Sequence, residues 1–166
     1  MSTRFLTGIS SDIIIIFGVI PWISIQINQK LGLPIIYSSF SPLAGGILII
    51  LGIAIIIVSI REIFLKPRQV MVTPREAPQR LVTSGVLQYT RNPMYLGYFS
   101  VVLSEFFLFG HILLLVYLVV LVLFVHFMVV YVEEKGLEEK FGVNYVEYKK
   151  RVPRWIPRLK NCYHVQ

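Results

Sequence analysis

Charge is scarce in this chain: 15% of its 166 residues are charged and 55% are hydrophobic. Mean hydropathy is +0.70, too apolar for an ordinary soluble domain of this size. Cysteine is nearly absent. The single Cys162 excludes an internal disulfide and a multi-cysteine metal site, so no metal is expected. It stands fifth from the end, out of register for a C-terminal prenylation box. No G-x-G-x-x-G fingerprint of a dinucleotide site is present. Acidic residues are few, nine against sixteen Lys and Arg, for a net charge of +7. That excess does not point to nucleic acid, because the basic residues flank hydrophobic spans and form no stripe with interleaved aromatics.

What is present is an all-α integral membrane protein, a single membrane domain over residues 1–166 with about four transmembrane helices. Ser10-Ser11-Asp12 offers helix caps to a first span at about 12–28, which Pro21 kinks. No small-residue cleavage site follows it, so a retained anchor is expected. Gly32, Pro34 and a Ser-Ser-Phe-Ser cluster break the chain before Pro42 opens the second span, 42–65. At roughly 36 Å that span crosses ~30 Å of hydrocarbon with some tilt. Gly45, Gly46 and Gly52 fit close helix packing. The loop 66–92 is basic and holds Pro67, Pro74 and Pro78. A helical hairpin follows, spans 93–109 and 112–132 about a turn at Gly110-His111, and its second helix continues to about Lys140, with Phe141-Gly142 as a stop.

With a cytoplasmic N-terminus, fifteen Lys and Arg fall on the inner side and only Lys30 on the outer. Both termini, the loop 66–92 and the helical tail 133–166 then face the cytoplasm. Counted from the hairpin turn, Arg91 lies level with Val130, Tyr95 with His126 and Gln88 with Glu133. His126, Val130, Glu133 and Glu134 share one helix face. Each residue also has a plainer explanation. Arg91 and the glutamates fit interfacial charges, Tyr95, Tyr98 and Tyr131 an aromatic belt, and His126 a neutral helix contact. Glu105, near the outer turn, reads as snorkelling outward or bonding a neighbour.

The stretch Val82 to Gly97, with T-S-G and R-N-P-M-Y-L-G, is followed at a distance by Glu133-Glu134, Leu137, Phe141-Gly142, Tyr145, Tyr148 and Val152-Pro153-Arg154 through Pro157. In this order, around a membrane hairpin, Leu81 to Pro157 resembles the isoprenylcysteine carboxyl methyltransferases and the related phospholipid methyltransferases. Val86-Leu87-Gln88 and Asn92 depart from the usual proline, aromatic, basic and histidine residues. The resemblance implies an integral membrane enzyme using S-adenosylmethionine at the cytoplasmic face. Carried over, Gly85, Leu87, Gln88, Tyr89, Asn92, Tyr95, Glu133, Glu134, Tyr148 and Arg151 would hold the cofactor. Arg91, Tyr95 and Glu134 would serve catalysis. By the depth count His126 would meet the substrate beside Arg91, and the tail after Gly142 would close over the cofactor, with Tyr145, Tyr148 and Trp155 covering the adenine.

A methyl group on a sulfonium is already activated, so the protein has mainly to exclude water and align a nucleophile. A prenylcysteine carboxylate, an α-carboxyl group that ordinarily titrates at about 3.3–3.7, needs no base, and Arg91 can orient it. A phospholipid amine needs one, for which Glu134 or His126 are candidates. The expected partners are membrane lipids and a lipophilic methyl acceptor, most simply a prenylated cysteine. An amine N-methyltransferase, an NADPH-dependent enzyme like the sterol reductases and a non-catalytic membrane scaffold are the alternatives.

Overall fold

The computed structural model of the protein describes residues 14–65 and 81–158. The caps expected at Ser10, Ser11 and Asp12, loop residues 66–80 and the tail beyond Arg158, with Cys162, lie outside them. Among the described residues the chain is helical, with one isolated antiparallel bridge, Ile35 to His111, and no strand. A π-helical turn at Ile15–Val19 leads into α1 (Ile20–Lys30). α2 (Ser41–Ile60) ends in a second π turn, Arg61–Leu65. Then come a 3-10 turn at Gly85–Gln88, α3 (Pro93–Phe109), α4 (Ile112–Met128), a third π turn at Val129–Glu133, α5 (Glu134–Phe141) and α6 (Val143–Arg151).

The sequence explains these boundaries. Pro21 stands in the first turn of α1, where its missing N–H interrupts the ladder, and the helix is widened just before it. Pro93 opens α3, where no N–H is needed. Ser41–Ile63 and Ile112–Phe141, 23 and 30 residues, are long and apolar enough to cross a membrane, and Pro93–Phe109 is an apolar helix of 17. Many of their large apolar side chains, among them Leu43, Ile50, Val120 and Phe124, are exposed. Helices suit that setting because their backbone polar groups are satisfied internally.

The chain divides into two compact units, Met1–Leu51 with Phe99–Leu123, and Gly52–Tyr98 with Phe124–Gln166. In the first, the hairpin turns on Gly110, whose φ of +73° is a left-handed conformation that glycine adopts without strain. Its N–H donates to Phe106 O at 2.7 Å and its carbonyl accepts Ile36 N–H at 2.8 Å. Asn28, fully buried, donates from Nδ2 to Leu33 O and accepts Leu113 N–H at Oδ1, at 3.1 and 3.2 Å. Of the glycines expected to admit a neighbour, Gly45 lies against Leu108 and Ser104, whereas Gly46 faces open space.

In the second unit α2 and α3 approach closely at Gly97, where a Cβ would stand 2.8 Å from Gly52 O. α5 and α6 meet at Gly142, whose N–H caps Glu138 O at 2.8 Å, so the expected stop at Phe141-Gly142 is observed. Tyr145, Tyr148 and Val152 form a buried cluster against Leu81, Leu137 and Phe141. From Val152 the chain runs as a non-helical strap to Arg158.

Candidate active site

The strap positions the R-N-P motif. Arg91 N–H donates to Pro153 O at 2.9 Å and Arg158 N–H to Tyr89 O at 3.0 Å. The Thr90 hydroxyl faces the Arg154 and Trp155 carbonyls at 3.0 and 3.2 Å, and Asn92 Nδ2 donates to Arg154 O at 3.2 Å. Between the 3-10 turn and α3, the strap supplies partners to the Tyr89 carbonyl, the Arg91 amide and the Thr90 and Asn92 side chains. From the other side Tyr148, buried on α6, donates its hydroxyl to Leu87 O at 2.6 Å.

This backbone frame holds a charged cluster. Arg91 Nη1 donates to Glu134 Oε1 at 2.8 Å, and Arg154 donates from Nε to Oε1 at 2.6 Å and from Nη2 to Oε2 at 3.0 Å. The Arg91 and Glu134 side chains are only 9% and 6% exposed. One carboxylate between two guanidiniums satisfies its oxygens at the cost of desolvating three charges, so removing the carboxylate, which leaves both guanidiniums uncompensated, is far costlier than the cluster's net worth. The hydrogen bond to Glu134 holds the Arg154 guanidinium above its ordinary pKa. Burial pushes the nearby Tyr145 phenol up, the Glu134 charge adds to this, and Arg91 opposes it. Arg91 Nε is buried and has no hydrogen-bond partner among the described residues.

Tyr95 donates its hydroxyl to Glu133 Oε1. Trp155 packs edge-on against Tyr95, and its Nε1 donates to His126 Nδ1 at 3.0 Å. Histidine accepts there only with Nδ1 unprotonated. Beside these groups opens a cavity of about 210 Å³, walled by Leu81, Val82, Leu87, Leu137, Phe141, Tyr145 and Tyr148, with Arg91, Asn92, Tyr95 and Glu133 as its polar members.

Several sequence expectations land elsewhere. Gly85, Gln88 and Tyr89 belong to the supporting turn and stand outside that wall, as do Glu134, His126 and Trp155. Trp155 therefore contacts His126 and Tyr95 instead of covering the cavity. Arg151 is mostly exposed and pairs with Glu147 on its own helix at 3.8 Å. The depth count also needs correction, because Arg91 meets Glu134 instead of the Val130 level, and Tyr95 meets Glu133 instead of His126. Side chains on a helix lean toward its N-terminus. Tyr95 therefore leans toward the Arg91 level, while Glu133 and Glu134 lean back toward Val130. The π turn at Val129–Glu133 also fits an extra residue into that stretch.

Two residues of the site escape sequence reasoning. Arg154 stands inside the V-P-R element with nothing to mark it as a partner of Glu134, and Glu62 stands in the π turn after α2, apart from either motif. A buried acid in a span end is the available signal for Glu62.

Helices of membrane length and a largely apolar cavity edged by buried charge define a membrane protein with a charged group at its site. A family model described as phospholipid methyltransferase matches residues 40–144, and the chain belongs to that family. No curated protein and no solved structure matches it. The matched region starts at the head of α2, well before the Leu81–Pro157 motifs.

Proposed function

We propose that the protein is a multi-pass membrane methyltransferase that uses S-adenosylmethionine to methylate a lipophilic acceptor at the cytoplasmic face. The acceptor group we assign is a carboxylate of the isoprenylcysteine type. The observation that carries this is Arg91, a guanidinium on the cavity wall held in place through Nη1 by Glu134.

The residues present fit the cofactor. Leu81, Leu87, Phe141 and Tyr148 offer an apolar and aromatic wall for a purine, and Glu133 and Asn92 offer polar groups for hydroxyls or an ammonium. When bound, S-adenosylmethionine supplies a methyl group activated on a sulfonium. Arg91 then orients an acceptor carboxylate that is ionised at neutral pH and needs no base. Glu134 and the strap hold Arg91 in place, Tyr95 is fixed by Glu133, and the apolar wall excludes water. His126, with Nδ1 engaged by Trp155, serves to anchor the strap. The cytoplasmic placement is supported by the fifteen-to-one distribution of basic residues that a four-span chain with a cytoplasmic N-terminus has.

Glu133, a carboxylate on the cavity wall, favours a second acceptor, a phospholipid amine whose proton it could receive. Labelled-methyl transfer by the detergent-solubilised protein to prenylcysteine and to phospholipid amines separates the two. Transfer to prenylcysteine alone is expected, and transfer to amines alone would overturn the carboxylate assignment. Calorimetric binding of NADPH in place of S-adenosylmethionine would favour the reductase-like alternative, and binding of neither the scaffold.

A further inference from the structure

The T-S-G element meets an unexpected partner. Gly85 has φ +62°, and the space its Cβ would fill is taken by the carboxylate of Glu62. Ser84 Oγ lies 3.5 Å from Glu62 Oε2. Glu62 is buried, 9% exposed, and its π turn, Arg61–Leu65, packs directly on the 3-10 turn Gly85–Gln88. Burying a carboxylate costs several kcal/mol unless polar groups meet it, so the two turns are fitted to each other. The 3-10 turn presents Leu87 to the cavity, and its Leu87 carbonyl receives Tyr148. Ile63, next to Glu62, stands in the same wall.

We propose that Glu62 is a positioning residue for cofactor binding: its carboxylate fixes the Ser84-Gly85 turn and so sets the Leu87 side of the cavity. The glycine is then required twice, for its backbone conformation and for the space Glu62 occupies. α2 contributes to the site without touching the reacting groups. The proposal rests on the methyltransferase reading for its cofactor, and its structural half stands apart from it.

Hydrogen exchange on the full-length protein in detergent tests that half. The Leu87, Tyr89 and Thr90 amides donate to Ser84 O and Val86 O and report the turn directly. Glu62→Ala should exchange about tenfold faster over 84–90 and raise the KM for S-adenosylmethionine about tenfold, with kcat within about twofold. Glu62→Gln, which keeps shape and an acceptor, should stay within about twofold of wild type in both. Gly85→Ala should be harmed more than Gly85→Ala combined with Glu62→Ala, since the second change relieves the overlap but not the backbone strain.

Unchanged exchange in Glu62→Ala overturns the proposal, as does faster exchange with an unaltered KM. If Glu62→Ala does not insert, Glu62→Asp, shorter by one methylene, replaces it with the same expectation, and wild-type exchange there overturns the proposal equally. A protein that transfers no methyl group to any acceptor, yet shows the exchange difference, would refute the enzyme reading while leaving the Glu62 contact established.

Discussion

The two units spend their buried polar groups differently. In the first, Asn28 bonds the Leu33 carbonyl and the Leu113 amide, Tyr117 bonds Ile16 O, and Ser104 bonds Val101 O. Side chains there close the backbone of turns and helices. In the second, Thr90, Asn92 and Tyr148 also bond backbone, but side chains meet side chains as well: Arg91 and Arg154 on Glu134, Tyr95 on Glu133, Trp155 on His126. A side chain spent on a backbone atom fixes that stretch of backbone, and any equivalent donor or acceptor would serve. A network of side chains fixes atoms in space relative to one another, as chemistry requires. Scaffold and site are thus separable by substitution.

The largest effect is expected from Arg91→Ala. Glu134 keeps Arg154, so no charge is stranded and the protein should insert and melt much as wild type. Methyl transfer should nevertheless fall roughly 10²–10³-fold, the scale of losing a buried charged contact to a transition state. Near-normal transfer rates would remove Arg91 from the mechanism. Glu134→Ala tests the same cluster from its centre, where two guanidiniums would be left facing each other. A destabilisation of about 3 kcal/mol is expected, read as a lowered melting temperature in detergent together with lost activity. Glu134→Ala melting like wild type would mean that the cluster does not organise the unit.

The contrast between units also marks what the sequence disclosed. Helix positions followed from hydropathy and from the punctuation at Pro93, Gly110 and Gly142, because each acts locally. That Arg91 and Tyr95 approach the helix face carrying His126, Glu133 and Glu134 was legible from the hairpin count, since antiparallel helices joined by a tight turn have a fixed register. The count missed by one to two turns, because side-chain lean and a π turn leave no mark in a hydropathy pattern. Arg154 was not legible as a partner: its reach to Glu134 depends on the strap's path, set by hydrogen bonds at Thr90, Arg91 and Asn92. Glu62 and Gly85 are separated by a long polar loop, which erases any register between them.

Within the scaffold unit, Asn28→Ala should cost about 2 kcal/mol by leaving the Leu33 carbonyl and Leu113 amide without their partner. The comparison predicts a lower melting temperature with KM and kcat unchanged. A selective loss of kcat would show that the scaffold unit takes part in turnover, and the division of labour would fail.

The finest test is Trp155→Phe. The ring that packs on Tyr95 is largely kept, while the Nε1 donor to His126 is lost. One neutral hydrogen bond contributes about 1 kcal/mol, so a small drop in melting temperature is expected. The strap also holds Arg91 through Pro153, so a loosened strap should blur the position of the guanidinium. That should appear as a few-fold fall in kcat with the cofactor KM unmoved, because Trp155 stands outside the cavity wall. His126→Phe should reproduce it, and the double variant should add nothing further if the two residues act only through each other. Additive losses would mean that His126 has a second task in the site, reopening it as a substrate contact.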